Sequence, residues 1–175
     1  EQCLWGLGNL IGDSAMFRDL VIEEGAVEPM VAALEKATRL SMKRNGIWAL
    51  SNICREKPAP KFARVARIVP FFCEILKNED DPEIVSDLVW GLFYCSEKNE
   101  GVDAVLSCDV TSRLVDLLSH SEVNILSPCL AIIGNIISGS DEQTGQVLKE
   151  EDLLPNLLRL TENYEESIRK ETFWI

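Results

Sequence analysis

The sequence predicts an all-α fold in which one helical unit repeats along the chain as a right-handed solenoid. Tryptophan, or the residue aligned with it, recurs at positions 5, 48, 90, 131 and 174, so the spacings are 43, 42, 41 and 43 residues. Apolar residues around each of these positions follow helical spacing. A period in the low forties with helical patterning is typical of stacked helical repeats rather than of one globular core.

The clearest unit reads R-N-G-I-W-A-L-S-N-I-C-R at Arg44–Arg55. On a helix, Asn45, Trp48, Asn52 and Arg55 share one face because they lie at i, i+3, i+7 and i+10. In a single helix, a core tryptophan with an asparagine nearby by chance would be the simpler interpretation. This row of residues on one helix face, which we call the stripe, however, recurs in four other stretches of the chain. Its other copies are Gln2, Trp5, Asn9 and Gly12; Asp87, Trp90, Tyr94 and Glu97; Pro128, Ala131, Asn135 and Ser138; and Glu171 with Trp174.

The first stretches follow a short, medium and long order of helices. Gly12, Asp13 and Ser14 end the opening helix with residues that favour helix caps. Helices are then predicted at 15–24, 27–36 and 43–55. Three helices per unit favour the armadillo repeat over a two-helix unit.

Proline and glycine mark the later units. Lys57-Pro58-Ala59-Pro60 breaks the chain, Pro70 is expected to bend or split a helical segment at 62–77, and Pro128 should kink a helix at 123–137. Gly139 ends that helix, and Ser140 with Gln143 has the spacing of a capping box. The remaining helices are predicted at 83–96, 101–107, 110–119, 141–149, 153–160 and 166–175.

These elements predict about four repeat lengths. The boundaries are the third helix of one repeat at 1–12, repeats at 14–56, 58–98 and 100–138, and a partial repeat at 140–175. The sequence opens inside one patterned helix and closes inside another. We therefore expect an excerpt of a longer array, truncated at both ends.

Composition limits the function classes. A net charge of −12 argues against a nucleic-acid partner and favours a basic one, although an acidic balance can also serve solubility alone. Six cysteines occur singly, which predicts buried free thiols of an intracellular protein, without a disulfide frame, metal site or cofactor. The single histidine, His120, lies at a predicted helix end, and no cluster of nucleophile, base and orienting group is present, so we expect no enzyme.

The stripe has a definite chemistry. Helices pack about 8–10 Å apart, so the third helices should form a ladder of indoles along one surface. Lysine or arginine stems can lie between indoles, with about 0.5–2 kcal/mol per cation–π contact. Asparagine amides can pair with a peptide backbone, and the acids can accept ammonium groups. The acids are Asp13, Asp87, Glu97 and Glu171.

The motifs W-G-L-G-N-L-I-G-D, R-N-G-I-W-A-L-S-N-I-C-R, P-C-L-A-I-I-G-N-I-I-S-G and I-R-K-E-T-F-W resemble the third helices of importin-α, the armadillo adaptor for nuclear localisation signals. The resemblance spans the whole chain and implies half of a major and half of a minor peptide site. The implied major-site half is Gln2, Trp5, Asn9, Gly12, Asp13, Asn45, Trp48 and Asn52. The implied minor-site half is Asn135, Ser138, Gly139, Glu171 and Trp174, with Arg55, Asp87, Trp90, Tyr94 and Glu97 between the two.

The same resemblance implies a nuclear import adaptor of the cytoplasm and nucleus. Its partners would be basic localisation peptides, importin-β bound through an N-terminal segment, and an export receptor. Departures from the family pattern are Gly6 and Gly91 in place of alanine, Ala131 in place of arginine, and Glu97-Lys98 in place of Asp-Gly. The alternative is a general armadillo scaffold with a different peptide ligand.

Overall fold

The computed structural model describes residues 1–55 and 58–175. The predicted repeat end at residue 56 and the start of the predicted break at Lys57 lie outside the described residues. Within them the chain forms α-helices and no strand, so the all-α prediction is confirmed. The helices are α1 (Gln2–Asp13), α2 (Ala15–Glu23), α3 (Val27–Glu35), α4 (Leu40–Cys54), α5 (Phe62–Val65), α6 (Ile68–Leu76), α7 (Pro82–Ser96), α8 (Asn99–Leu106), α9 (Thr111–Leu117), α10 (Val123–Ile137), α11 (Asp141–Val147), α12 (Leu153–Leu160) and α13 (Glu166–Trp174).

The long helices stack in chain order. Helix α1 packs on α4, α4 on α7, α7 on α10, and α10 on α13. Their buried leucines and isoleucines, such as Leu50, Leu88 and Ile133, belong to one apolar core that runs the length of the stack. The long helices that carry most of the predicted stripe are therefore anchored in this core.

Arginines tie neighbouring repeats together. Arg113 on α9 donates to the carbonyl oxygens of Leu76, the last residue of α6, and of Glu79 in the turn that follows, at 3.2 and 2.8 Å. Arg159 on α12 donates to the carbonyl of Leu118 at 2.8 Å. The last carbonyls of a helix lack partners within the helix, so these bonds satisfy groups that the preceding repeat leaves open.

The break between α5 and α6 lies before the residue that was expected to cause it. The segment 62–77 is split at Ala66 and Arg67, whereas Pro70 lies in the first turn of α6. A proline there costs no helical bond, because the first N–H groups of a helix have no partner in it. The prediction of two helices is confirmed, but their boundary precedes Pro70.

Helix α10 continues through Pro128. The missing N–H of Pro128 would have bonded to the carbonyl of Asn124, four residues earlier. The Ser86 hydroxyl of α7 donates to that carbonyl instead, at 3.4 Å. The neighbouring repeat thus partly replaces the bond that proline removes.

Two predicted caps are confirmed. The Ser140 hydroxyl accepts from the Gln143 amide, and the Gln143 side chain returns a bond to the Ser140 amide at 2.8 Å, which completes the capping box. Ser14 caps α2 by accepting from the amide of Phe17.

Candidate functional site

The indole of Trp48 lies between two long helices. It is half-buried and packs against the core. A Cβ atom at Gly8 of α1 would overlap its six-membered ring, so the absence of a side chain at Gly8 is what admits the indole. Trp48 is therefore held in place by the backbone of the preceding third helix.

Trp48 forms one wall of a groove of about 400 Å³ between α4, α7 and the start of α10. We call this the Trp48 groove. It brings together three predicted site residues, Asn45, Trp48 and Asp87. The other lining residues are Arg44, Pro82, Glu83, Ser86, Glu122 and Asn124.

Carboxylates outnumber cations in the Trp48 groove. Burial, and then the nearby charge of Glu83, raise the pKa of Asp87 to about 6. Arg44 bonds to Asp81 at 2.6 Å and to Glu83 at 3.0 Å. Its hydrogen bond with Asp81 is the main reason that the pKa of Asp81 is lowered. Asp87 and Glu122 also line the groove and are not part of the ion pairs of Arg44. The negative charge of these two carboxylates suits a cationic ligand.

A second pocket, of about 250 Å³, lies where α1 ends and α4 ends. We call it the Asp13 pocket. It brings together the predicted residues Gly12, Asp13, Asn52 and Arg55, with Arg18 beside them. Asn52 reaches across to Gly12, since a Cβ at that glycine would lie 3.3 Å from the Asn52 amide nitrogen. The pocket is mainly polar and combines one carboxylate, one amide and two guanidinium groups.

The first copy of the stripe, on α1, is exposed to solvent. The Trp5 side chain is 53% exposed, and Gln2 and Asn9 are exposed as well. The Asn9 amide nitrogen donates to the carbonyl of Trp5 at 3.0 Å. This bond uses one of the two N–H groups of the Asn9 side-chain amide.

Trp90 belongs to an aromatic cluster on α7. Its ring centroid lies 5.7 Å from that of Phe93 and 5.8 Å from that of Tyr94. Tyr94 and Glu97 also border a cavity of about 20 Å³ with the buried Cys54 and Cys95. Packing explains the glycine at position 91, because a Cβ atom there would overlap the ring of Phe72. Packing does not explain Gly6, since nothing lies within 4 Å of a Cβ atom added there.

The C-terminal stripe is used for contacts within the protein. The Asn135 amide donates to the Ser96 hydroxyl at 3.0 Å, which joins α10 to α7. The Ser138 hydroxyl donates to the carbonyl of Gly134 at 2.7 Å, and Gly139 is exposed just beyond the end of α10.

The last copy of the stripe lies on α13. The carboxylate of Glu171 lies beside Gly134, 3.6 Å from the position of a Cβ there. The Trp174 side chain is 67% exposed. Neither the Trp48 groove nor the Asp13 pocket includes Glu171, Trp174 or Asn135.

Sequence reasoning missed several lining residues of the Trp48 groove. Glu83 lies four residues before Asp87 and so shares its helix face, a spacing that could have identified it. Arg44 stands next to Asn45 in the motif. Glu122 and Asn124 come from the turn before α10 and the first turn of α10, and only the stacking of repeats brings them to the groove.

Other chemistries find little support among the described residues. His120 occupies a turn, where its Nδ1 accepts from the amide of Glu122 at 3.1 Å. Residues 1–55 and 58–175 contain no group of three or more histidine, cysteine or acidic side chains placed to hold a metal ion. None of the helices described has both the length and the apolar character needed to cross a membrane.

Comparisons with known proteins identify the type of repeat and the proteins that this chain is similar to. The armadillo/beta-catenin-like repeat family matches residues 14–55 and 98–138. Importin subunit alpha-1a of Oryza sativa subsp. japonica is 43% identical over 99% of this chain, and importin subunit alpha-3 of Arabidopsis thaliana is 43% identical over 90%. The chain spans about a third of the length of these relatives, 33% and 30% respectively.

Solved armadillo proteins share the fold. A designed armadillo repeat protein in complex with the peptide (KR)4 superposes with a TM-score of 0.87 at 22% identity, covering 99% of this chain and 72% of the other. A computationally designed armadillo repeat protein for modular peptide recognition gives 0.88 at 20% identity, with the same coverage. The stacked helical trios show that this chain is an armadillo-repeat solenoid, and over nearly its whole length its sequence is similar to that of importin alpha subunits.

Proposed function

We propose that the chain binds lysine- and arginine-rich nuclear localisation signals as extended peptides, as the cargo-binding part of a nuclear import adaptor. The observation that carries the proposal is the Trp48 groove, in which an indole, an amide and a surplus of carboxylates line one cavity. Lysine and arginine side chains match this combination, since their stems are apolar and their heads are cationic. The importin-α relatives and the designed neighbour bound to (KR)4 support the same ligand class.

The proposal assigns roles to the residues. Trp5, Trp48 and Trp90 supply walls for side-chain stems, and Asn45 and Asn52 bind the peptide backbone. Asp13 and Asp87 accept cationic heads, with Glu83 and Glu122 adding negative charge. Asn135, Ser138, Gly139, Glu171 and Trp174 form part of a second, weaker site.

The wider cellular role is part of the proposal. A nuclear import adaptor acts in the cytoplasm and the nucleus and works with importin-β and an export receptor. The repeat boundaries at 14–56, 58–98, 100–138 and 140–175 are proposed with it. A binding function without catalysis fits the importin subunits and peptide-binding scaffolds among the relatives.

A second candidate is an armadillo scaffold for a different, acidic peptide. Arg18 and Arg55 line the Asp13 pocket, and Arg44 lines the Trp48 groove, so cations are present along the same surface. Most of these guanidinium groups already serve the protein, however. Arg44 is paired with Asp81 and Glu83, and Arg18 with Asp19.

Fluorescence anisotropy with labelled peptides tests the proposal. The chain is titrated against a lysine-rich localisation peptide, the same peptide with its lysines changed to alanine, and an acidic peptide of equal length. We expect binding of the first alone, weakened by added salt because exposed charge pairs are screened. Preferential binding of the acidic peptide would establish the scaffold alternative, and equal binding of the first two would exclude recognition of basic side chains.

A further inference from the structure

Arg18 is a buried cation at the edge of the peptide surface. It lies on α2, its residue is 2% exposed, and it lines the Asp13 pocket. Its guanidinium donates to the carbonyl of Arg55 at 2.7 Å and to that of Pro58 at 2.6 Å. It also donates to the neighbouring Asp19 carboxylate through two nitrogens, at 2.9 and 2.8 Å. A charge this deeply buried is retained only where such partners satisfy it.

These bonds fix the C-terminal end of α4. Arg55 follows α4 as its cap residue, with an extended backbone at φ −62° and ψ 140°. Its carbonyl can accept no bond from a later turn, because the helix has ended. Arg18 supplies that bond from 37 residues earlier in the chain. The first helix of the repeat thereby holds the end of its third helix.

The held end carries a proposed ligand contact, Asn52. Asn52 lies one helical turn before Arg55, and both line the Asp13 pocket together with Asp13 of the preceding third helix. The distance between Asn52 and Asp13 determines which backbone and side-chain groups of an extended peptide these two residues can bind at the same time. Rigid fixing of that separation reduces the entropy lost on binding.

We propose that Arg18 is a positioning residue of the peptide groove, which sets the placement of Asn52 and Arg55 opposite Asp13. The inference rests on the proposed function, since it concerns how that same surface holds its basic peptide. Arg18 is not a ligand contact in this account. It acts through the backbone of residues 55 and 58.

Arg113 is a matched control. It also donates to two backbone carbonyls, those of Leu76 and Glu79 in the preceding repeat, and it pairs with an adjacent carboxylate, Asp80. It lines neither the Trp48 groove nor the Asp13 pocket. Loss of Arg113 therefore removes the same kind of bonds without removing a side chain that lines either cavity.

The experiment compares Arg18→Met and Arg113→Met, each alone and combined with Asn52→Ala. The probe is (KR)4, the octapeptide that the designed neighbour binds, measured by anisotropy at a temperature where circular dichroism shows every variant fully folded. We expect Arg18→Met to weaken binding about tenfold, the order of a lost hydrogen bond in the site, and Arg113→Met to weaken it less than about twofold.

Coupling separates positioning from general structural damage. If Arg18 acts through the placement of Asn52, then Arg18→Met should cost roughly threefold or less in the Asn52→Ala background, whereas Arg113→Met should have an additive effect. Equal losses for Arg18→Met and Arg113→Met, or additivity of Arg18→Met with Asn52→Ala, would overturn the inference. Should Arg18→Met fail to fold, Arg18→Lys replaces it, because lysine keeps the charge but lacks the fork that reaches two carbonyls.

The titration of the wild-type chain distinguishes failure of the proposed function from failure of the inference about Arg18. If the wild-type chain does not bind (KR)4, the proposed function fails and the positioning role of Arg18 fails with it. If the wild-type chain binds but the Arg18 and Arg113 variants behave alike, the inference alone fails and the proposed function stands.

Discussion

The two ends of the stripe use the same residue types differently. Around α4 and α7, Trp48 lies against Gly8, and its groove contains the carboxylates of Glu83, Asp87 and Glu122. Around α10 and α13, the aligned position is Ala131, the Asn135 amide is engaged by Ser96, and Trp174 is largely exposed. A recurring sequence stripe therefore does not ensure a recurring site. The α4–α7 region differs because the indole of Trp48 forms one wall of its cavity and the repeats that follow contribute carboxylates to the same cavity.

The largest expected difference is between Trp48→Ala and Trp174→Ala. If Trp48 is the wall of the main site, its removal should cost about 2 kcal/mol of binding, or roughly thirtyfold in the affinity for a basic peptide. The half-buried Trp48 side chain also packs on the core, so we expect some loss of thermal stability, which calorimetry measures separately. Trp174→Ala should change affinity less than threefold. A larger effect of Trp174→Ala on affinity would reverse the comparison.

Gly8→Ala tests how the indole of Trp48 is held. A Cβ at Gly8 overlaps the ring, so the substitution should lower the free energy of unfolding by about 1–3 kcal/mol and weaken peptide binding together. Gly6→Ala is the matched control, since nothing lies within 4 Å of its Cβ, and it should raise stability by up to about 1 kcal/mol through helix propensity. Urea unfolding of both variants gives the comparison. Similar stabilities would mean that Trp48 is not fixed by α1.

Charge reversal tests the acidic contribution at the Asp13 pocket. Asp13→Lys should weaken binding of a basic peptide by about 1 kcal/mol, roughly fivefold, with the difference shrinking in high salt. Glu24→Lys is the control, because Glu24 is also exposed at the C-terminal end of a helix but lines neither pocket. Asp81 would be a poor control, since it caps α7 and pairs with Arg44. Equal losses for Asp13→Lys and Glu24→Lys would show that only the overall charge matters.

The smallest expected effect is a pH dependence centred on Asp87. Its pKa of about 6 means that the carboxylate is about half charged at pH 6 and fully charged at pH 8, so affinity for a cationic ligand should rise about twofold over that range. Stability should respond in the opposite direction. A carboxyl whose pKa is raised by folding stabilises the folded state below its unfolded pKa, and this contribution is lost as pH rises through 6.

Asp87→Asn provides the control for that pH dependence. The variant cannot titrate at position 87, so its affinity should be nearly flat between pH 6 and 8. Isothermal titration with (KR)4 at several pH values measures both proteins. A wild-type profile as flat as that of Asp87→Asn would remove Asp87 from the binding surface.

Much of the fold was predictable from the sequence because its signals are local. Helical spacing of apolar residues and the cap residues Ser14 and Ser140 are recognised within a few helical turns, and the period near 42 residues appears when successive stretches of the chain are aligned. The helix bounds were accurate for α10 and α12 and within a few residues elsewhere. The break before α6 was misplaced because proline also suits a first turn, and the sequence pattern does not separate that position from a helix interior.

By itself, the sequence determined the armadillo architecture and the side chains of the stripe, since both follow from periodicity along one chain. The tertiary structure decided which stripe residues share a cavity, that Gly8 seats the indole of Trp48, and that Asn135 is engaged by Ser96. It also brought Glu122 to the groove and Arg18 to the end of α4. These contacts join residues roughly 35 to 40 positions apart, and such pairings depend on how one repeat stacks on the next rather than on any local pattern.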